Sequence, residues 1–527
     1  MKKFHFNTYK IIGYTLFILF CAIIMAFSIR GLPGNPNASQ LSQLKWTDNG
    51  PLELSPERGR FALTYSIIEN HSFQFTPDIA RFAAPDVGYL NGKYVSLFAP
   101  GVSFVVIPGY IVGKMLGYSQ IGSFAVIALF AILNVLLIRA IAVKLGMRSL
   151  AGLIAGLTFL FATPAFPYAV TLYQHHISTF LVLLGIYLLI SFDSIWSLII
   201  IWILCGLSIS IDYPNFFLML PIGLAGLGRT FKITKEHFQI SLKIPVLRVV
   251  AMGSIILPLL FFLWFNYASN GSPFQLSGTV DRSLVVKANG QPELESKEIL
   301  QRLKASGQPV VLPKKSALGA FNNRNIFNGM YEFFVSPDRS MLYFTPVMFF
   351  GFIGLWLAVR KKMPYAWLLF AIIGFDILLY SMWDDPYGGW AFGARYLIPV
   401  YAVLALFIAY LLSRIVRYNL LLLLFFTVLT YSVGVNTLGA LTSNRNPPKV
   451  EAVALAKTTN TPQPYTFVRN INVLNADISK SFVFETEAKY YMTAWNYYTY
   501  VASFIVIVCA FLLITYKATA KGVRREV

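Results

Sequence analysis

Long apolar runs separated by polar segments dominate the chain. Read with a window of roughly 19 residues, these runs are long enough to cross a bilayer and recur along most of the sequence. The pattern predicts an all-α polytopic membrane protein with about twelve transmembrane helices. The predicted spans are 11–29, 121–139, 149–168, 176–191, 195–210, 213–229, 248–267, 341–359, 364–382, 397–413, 419–440 and 496–516.

Three long polar segments interrupt the runs, at 30–101, 268–340 and 442–494. The apolar piece 102–116 that follows the first segment is short and carries a Pro-Gly pair. It is marginal for spanning, so we expect an interfacial or re-entrant element that closes the first loop.

Basic residues cluster in the short connections between predicted spans. These connections hold nearly half of the 43 lysines and arginines, and they all fall on one side if the spans alternate. By the positive-inside rule that side is cytoplasmic, so we expect both termini inside and the three long segments outside, in the cytoplasmic (plasma) membrane. The net charge of +20 therefore reflects topology and gives no argument for nucleic-acid binding. The three cysteines lie inside apolar runs, which argues against disulfides and cysteine zinc sites.

The unusual polar residues lie mainly at the outer ends of the predicted spans. Ionisable groups at membrane depth are costly and usually face a cavity or one another. Their shared depth predicts one outward-facing substrate cavity, although each residue alone also suits an ordinary interfacial cap. The residues predicted to line it are His175, His176, Asp212, Tyr213, Asp384, Asp385, Trp390 and Tyr396, with Tyr173, Gln174, Asp338 and Arg339 at the same depth.

The adjacent pair His175 and His176 is not a convincing metal site. Neighbouring side chains on a helix point about 100° apart, so they cannot easily bind one ion together. We expect no metal ligands from this pair.

The turn at 383–396 combines glycines, aromatic residues and an arginine. Its glycines let the backbone approach a ligand, Trp383 and Trp390 offer faces for a sugar, and Arg395 offers a bidentate fork for phosphate. The alternative interpretation is an aromatic loop of the membrane interface.

The first polar segment supplies two candidate catalytic carboxylates, Glu57 and Asp86. Glu57 stands near the start of a helical pattern, where it is either a plain helix-start acid or a general base. Asp86 and Lys93 bracket the stretch VGYLNGKY, in which Asn91-Gly92 predicts a turn. An ordinary connecting loop is the alternative for the whole segment.

Several motifs follow one another along the chain: PERGRFALTYSIIENHSF, PDVGYLNGKYVSLFAPG, FATPAF with YQHH, DYP, NGSPF, VSPDRSMLYFTP and GGWAFGARYLIP. In this order they resemble the bacterial branch of the GT-C membrane glycosyltransferases, distant relatives of protein O-mannosyltransferases and of the lipid A aminoarabinose transferase. The resemblance runs from about residue 10 to about residue 415, so we divide the chain into a catalytic module at 1–415 and C-terminal helices at 416–527.

The resemblance implies a polyprenyl-phosphate-linked sugar in a cavity open to the bilayer. It also implies an acid of the first loop that activates the acceptor hydroxyl. The family acid precedes an Arg-aromatic pair by three residues, which here is Glu57 before Arg60-Phe61, with Asp86 as the second candidate.

We therefore expect an inverting glycosyltransferase that acts outside the membrane on a glycan, lipid or protein acceptor. Lys93, Arg395 and Arg339 are the candidates for binding the donor phosphate, and the role of a divalent cation is open. The alternatives are a transporter or flippase of lipid-linked or anionic solutes, and a polymerase or ligase of surface polysaccharide. A transporter predicts polar residues spread through the membrane midplane, whereas here they gather on one side.

Overall fold

The chain is mostly helical. A computed structural model describes residues 8–236, 239–243, 245–305, 319 and 321–522. The helices are α1 (Thr8–Ser28), α2 (Ala38–Leu41), α3 (Leu44–Thr47), α4 (Ser55–Glu69), α5 (Pro77–Ala83), α6 (Gly101–Val105), α7 (Ile107–Met115), α8 (Ser119–Lys144), α9 (Ser149–Phe161), α10 (Ala165–Ala169), α11 (His175–Ser191), α12 (Ile195–Ile211), α13 (Asn215–Leu218), α14 (Leu220–Thr230), α15 (Val246–Met252), α16 (Ile256–Asn270), α17 (Glu295–Ala305), α18 (Ile326–Phe334), α19 (Met341–Phe344), α20 (Phe349–Arg360), α21 (Ala366–Ser381), α22 (Ile398–Ile415), α23 (Asn419–Leu441), α24 (Lys449–Thr459), α25 (Val468–Asn475), α26 (Phe482–Thr486) and α27 (Ala494–Gly522).

Apolar helices account for the membrane character of the protein. Within the described ranges, five helices are long and apolar enough to cross a membrane: Ser119–Lys144, Val246–Asn270, Arg395–Ile415, Asn419–Leu441 and Ala494–Ala520. Six shorter apolar helices accompany them. The predicted count of twelve spans is thus not confirmed. The predicted span 213–229 is broken at Met219 into α13 and α14, because Pro214 and Pro221 favour helix starts over a continuous helix.

Helix α22 forms the centre of the bundle. Its sequence, IPVYAVLALFIAYLLSRI, is apolar on nearly every face, and 89% of its most apolar window is buried. A helix that is apolar all round requires neighbours on all sides, and here α8, α9, α11, α20 and α21 pack around it. The packing of α22 consequently fixes the position of the residues just before it, at the N-terminal end of this central helix.

A small antiparallel sheet lies outside the bundle, so the prediction of an all-α fold is wrong in this respect. Its strands are β1 (Gln74–Phe75), β2 (Val87–Leu90), β3 (Lys93–Ser96), β6 (Asp281–Val286) and β7 (Pro292–Leu294), in the order β1-β3-β2-β6-β7. A separate hairpin pairs β4 (Lys232–Glu236) with β5 (Gln239–Lys243).

The sheet joins the first polar segment to the second. Strand β2 pairs with β6, almost 200 residues later, and such short strands carry too few residues to show a period-two pattern in the sequence. The predicted turn at Asn91-Gly92 is confirmed: both residues have positive φ, 50° and 80°, and they connect β2 to β3.

The segment 102–116 forms two short helices: α6 packs against α4 and α12, and α7 packs against α8. Helices α7 and α8 approach closely because both have glycine at the crossing. A Cβ atom on Gly109 would lie 2.2 Å from the carbonyl oxygen of Gly122. The first polar segment is thus closed by a helix pair that is fastened to the bundle.

The C-terminal segment packs against the first polar segment. The backbone N–H of Phe482 donates to the carbonyl of Ile29 at 2.9 Å, and that of Asn444 donates to the carboxylate of Glu53 at 2.8 Å. Residues 442–494 therefore help to hold the region that carries the candidate catalytic carboxylates.

Candidate active site

Breaks in several helices bring polar residues to one place. Helix α9 ends at Phe161, where a Thr-Pro step follows, and the chain is irregular again before α11 begins at His175. A second break, at Asp212, separates α12 from α13. The third is the glycine-rich turn before α22, which ends at Arg395. Irregular backbone between helix ends leaves these side chains free to converge.

The ring of Tyr173 lies close to two arginines, Arg60, which is buried, and Arg395, which is half-buried. The guanidinium carbon of Arg395 is 5.3 Å from the ring centroid and that of Arg60 is 5.9 Å from it. Each arginine also contacts a second ring. The guanidinium carbon of Arg60 is 4.8 Å from the ring centroid of Phe98, and that of Arg395 is 5.4 Å from the ring centroid of Tyr396. These cation–π contacts hold two positive charges next to one aromatic ring. We call Arg60, Tyr173 and Arg395 the arginine–tyrosine cluster.

Both arginines keep unused hydrogen-bond donors. Arg60 donates from Nη1 to the carbonyl of Pro56 at 3.0 Å, and Arg395 donates from Nη2 to the carbonyl of Gly388 at 2.6 Å. The Nε atoms of both are buried and have no acceptor in the part of the chain that the structure describes. Buried donors of this kind normally have a partner, so the cluster is suited to an anion.

Asp212 only partly neutralises these charges. Gln174 donates from Nε2 to its carboxylate at 2.8 Å. Burial raises the pKa of Asp212, while the positive charges of Arg60 and Arg395 oppose that shift. The carboxylate of Asp212 therefore offsets only part of the positive charge of the two guanidinium groups.

Glu57 lies beside this cluster, buried in the first turn of α4. Its Oε2 accepts a hydrogen bond from the backbone N–H of Leu54 at 3.0 Å, as expected of an acid at a helix start. Its Oε1 is buried and has no hydrogen-bond partner among the described residues. Its charge acts on both Arg60 and Tyr173. One carboxylate oxygen therefore holds the helix and the other is free for a proton.

The pKa of Glu57 is raised to about 7. Burial is the main cause and the negative charge of Glu53 adds to it, while the charge of Arg30 and the nearby hydroxyl of Thr171 act in the opposite direction. A carboxyl with a pKa near neutrality can both accept and release a proton at physiological pH.

Asp86 lies on the other side of α4. Its carboxylate accepts from Ser55 Oγ at 2.5 Å and pairs with Arg282 at 3.1 Å. At 100° per residue, Ser55 lies about 160° around the helix from Glu57, so the two candidate carboxylates face different surroundings. Asp86 lines an open cleft of about 340 Å³, which we call the sheet-side cleft. The other lining residues are Leu97, Phe98, Gly278, Val280, Arg282 and Glu295.

Lys93 and Arg339 occupy different places from Arg395. Lys93 is exposed where β3 begins, just after the Asn91-Gly92 turn. Arg339 is fully buried and donates to three carbonyls of neighbouring loops, those of Tyr387 at 3.1 Å, Gly389 at 3.0 Å and Asn446 at 2.9 Å. Its guanidinium fixes the glycine-rich turn and has little capacity left for a phosphate.

The two neighbouring histidines point to different sides, as their helical spacing predicts. The ring of His175 stacks on Tyr173, with centroids 5.7 Å apart, and therefore borders the cluster. The Nε2 of His176 lies 2.7 Å from the carbonyl of Ala165 inside the bundle. No group of three or more histidine, cysteine, aspartate or glutamate residues that could hold a metal ion occurs in the described ranges.

The other predicted cavity residues do not all lie at the arginine–tyrosine cluster. Tyr396 borders the cluster, and its ring stacks on that of Tyr380 at 4.5 Å. Tyr213 contacts Phe262 at 6.0 Å between ring centroids, beside the sheet-side cleft. Asp384 is exposed, and Trp390 faces the C-terminal segment, where its Nε1 donates to Glu451 at 2.5 Å. Asp385 accepts a hydrogen bond at its backbone carbonyl from the N–H of Gly388, at 3.0 Å.

A buried ion pair beneath Glu57 was not found from the sequence. Arg30 donates to Glu53 at 2.8 Å, and both side chains are almost fully buried. The same guanidinium donates to the carbonyl of Gly439 at 2.8 Å and to Asn444 at 3.1 Å. An arginine directly after an apolar run is the only local signal of this arrangement, because its partners lie in distant segments.

Comparison with solved structures finds similarity to ArnT and to an archaeal oligosaccharyltransferase. ArnT from Cupriavidus metallidurans in the apo state aligns over 97% of this chain and 78% of its own, with 13% identity and a TM-score of 0.46. ArnT from the same organism bound to undecaprenyl phosphate aligns over the same shares, with 14% identity and a TM-score of 0.45.

The archaeal oligosaccharyltransferase AglB from Archaeoglobus fulgidus, in complex with an inhibitory peptide and a dolichol-phosphate, is also similar. It aligns over 86% of this chain and 59% of its own, with 15% identity and a TM-score of 0.42. No protein-family model and no curated protein matches the sequence. All three TM-scores are below 0.5. The function proposed below therefore rests on the residues of the site.

Proposed function

We propose that this protein is a membrane glycosyltransferase that moves a sugar from a polyprenyl-phosphate donor to a hydroxyl of an envelope glycan, lipid or protein. The observation that carries the proposal is the position of Glu57. A buried carboxyl with a pKa of about 7 and one free oxygen lies beside two arginines that have unused donors. A base next to an anion site is the combination that transfer from a sugar phosphate requires.

Arg395 and Arg60 bind the donor phosphate in this scheme. When the bond between the sugar C1 and the phosphate oxygen breaks, the electron pair stays on that oxygen and the phosphate gains negative charge. Two guanidinium groups held in place by aromatic rings stabilise that developing charge more than they stabilise the intact donor. Tyr173 keeps the two arginines in place through its ring.

Glu57 takes the proton of the acceptor hydroxyl through its free Oε1. The acceptor oxygen then bonds to C1 on the face opposite the departing phosphate, which inverts the configuration at C1. One proton moves to Glu57 and one electron pair leaves with the phosphate, so no other reactant is needed.

The remaining candidates take supporting roles. Arg339 positions the turn that carries Arg395, through its bonds to the carbonyls of that turn. Asp86 is the second candidate for the base, and its cleft is an alternative place for the acceptor. Lys93 lies in the outer sheet and is the weakest candidate for donor binding.

The test is a comparison of Glu57→Gln with Asp86→Asn. Both substitutions remove a carboxylate and keep the shape of the side chain. We expect Glu57→Gln to bind polyprenyl phosphate normally and to lose about 10² to 10⁴ in transfer rate, while Asp86→Asn loses much less. Transfer is measured with purified protein and a labelled polyprenyl-phosphate sugar, following release of polyprenyl phosphate.

Two outcomes would change the assignment. Full activity of Glu57→Gln together with an inactive Asp86→Asn would make Asp86 the base. Full activity of both variants would contradict the enzyme proposal and favour a transporter of lipid-linked solutes.

The orientation is part of the proposal. The outer loops and the site belong on the extracytoplasmic side, with both termini in the cytoplasm, because the short basic connections lie at the opposite ends of the spans. Single cysteines at Asn49 and Thr461 should react with a membrane-impermeant thiol reagent in intact cells. Protection of both would place the site on the wrong side of the membrane.

A further inference from the structure

A second cluster of positive charge lies where the 383–396 turn meets the C-terminal segment. The guanidinium carbons of Arg445 and Arg469 are 5.5 and 5.6 Å from the ring centroid of Trp390. The two arginines and the tryptophan are half-buried, and Glu451, which accepts from the indole N–H, is exposed. We call Trp390, Arg445 and Arg469 the outer arginine pair.

Neither guanidinium of the outer arginine pair has an acceptor of its own. Within the part of the chain that the structure describes, neither side chain donates a hydrogen bond or forms an ion pair. Cation–π contacts leave the N–H edges of a guanidinium free, so both planar forks remain available. The pair thus differs from Arg339, whose donors are occupied by carbonyls.

The surrounding charges favour an added anion. Burial lowers the pKa of Arg469 and the charge of Arg445 lowers it further, while Glu53 opposes both. That glutamate is already paired with Arg30, and the charge of Arg58 also acts on this region. Repulsion between the two arginines is relieved when an anion binds both.

We propose that the outer arginine pair is a phosphate-binding site, separate from the donor site at Arg395. Phosphate matches the fork geometry of two arginines, and Trp390 holds both forks at one edge of the turn. The phosphate comes either from a soluble phosphorylated molecule or from an anionic lipid headgroup, and both sources present the same chemical group.

The test is protection of individual arginines from phenylglyoxal. Full-length protein in phosphatidylcholine nanodiscs is labelled in inorganic phosphate or in chloride of equal ionic strength, and each arginine is quantified by peptide mass spectrometry. At phosphate concentrations several times the Kd, we expect labelling of Arg445 and Arg469 to slow about fivefold. Arg324, which is exposed elsewhere on the protein, is the internal control and should not change.

A second arm separates the two sources of phosphate. Nanodiscs that contain phosphatidylglycerol should protect the pair without added phosphate if the headgroup is the ligand. The variant Trp390→Leu lacks the ring that aligns the two guanidinium groups. In this variant, neither inorganic phosphate nor phosphatidylglycerol should slow the labelling of Arg445 and Arg469.

Equal labelling rates of Arg445 and Arg469 in chloride, phosphate and phosphatidylglycerol would overturn the proposal. Because each arginine is read separately, protection of Arg395 alone would contradict the second site and leave the donor site intact. A further sample contains polyprenyl phosphate. If Arg395 is not protected there while phosphate protects the outer arginine pair, the second site stands and the donor site at Arg395 is contradicted.

Discussion

Glu53 and Glu57 are two glutamates four residues apart, both buried, with opposite acid–base properties. Glu53 pairs with Arg30 at 2.8 Å and accepts from the backbone of Asn444 at 2.8 Å. Burial alone would raise its pKa, but the charges of Arg30 and Lys480, together with hydrogen bonds from Asn444 and Ser443, lower it below its usual value. Glu57 has no such ion pair, and its pKa is raised to about 7.

The difference shows that the partner, more than the burial, decides what a buried carboxyl can do. The carboxylate of Glu53 stays ionised and links the first polar segment to the C-terminal segment. The carboxyl of Glu57 is held near its titration point, and one oxygen remains unused. Structural and chemical duties are thus divided between neighbouring residues of the same type.

Replacing Glu53 should produce the largest loss of stability. Glu53→Gln leaves the buried guanidinium of Arg30 without its counter-charge, which typically costs about 3–5 kcal/mol. Thermal unfolding of the purified protein in detergent measures it, with Glu57→Gln as the matched control. If the two variants unfolded at the same temperature, the division of roles between the two glutamates would be wrong.

Replacing Arg395 should weaken donor binding by a moderate factor. A charge-assisted hydrogen bond contributes about 1.5–3 kcal/mol, so we expect Arg395→Ala to bind polyprenyl phosphate roughly 10- to 100-fold less tightly. Arg395→Lys should recover only part of this, because lysine lacks the planar fork. Titration of purified variants with the lipid phosphate measures the affinity, and parent-like binding by Arg395→Ala would refute the phosphate assignment.

Replacing Asp86 should have the smallest effect on stability. Its ion pair with Arg282 is partly exposed, and pairs of this kind contribute at most about 1 kcal/mol. Asp86→Asn should therefore unfold close to the parent temperature. A loss as large as that of Glu53→Gln would indicate that the sheet-side cleft, and not the Arg30–Glu53 pair, anchors the first segment.

Local features of the fold were predictable from the sequence, and long-range partners were not. The Asn91-Gly92 turn and the divergence of His175 from His176 follow from short-range rules. The strand pairing between the two polar segments depends on distant residues. The count of twelve spans is not confirmed, and prolines divide one of the predicted spans.

In the candidate active site, too, single residues could be identified from the sequence but their long-range partners could not. Glu57, Arg395 and Asp212 stood out because charged residues are rare near apolar runs. The contrast between Glu53 and Glu57 could not be predicted, because Asn444, which donates to Glu53, lies 391 residues away. Trp390, Arg339 and Arg395 were all predicted to belong to one site, and only their contacts separate Trp390 and Arg339 from the arginine–tyrosine cluster.

The central claim is that Glu57 is the base, and the pH dependence of transfer tests it most directly. Below a pKa of about 7 the carboxyl is protonated and cannot accept the acceptor proton. At saturating donor, the parent rate should therefore rise about tenfold per pH unit up to pH 7 and level off above it. In Glu57→Gln the residual rate should lose this rise. A parent profile that is flat between pH 5.5 and 8, or an unchanged rise in Glu57→Gln, would contradict the claim.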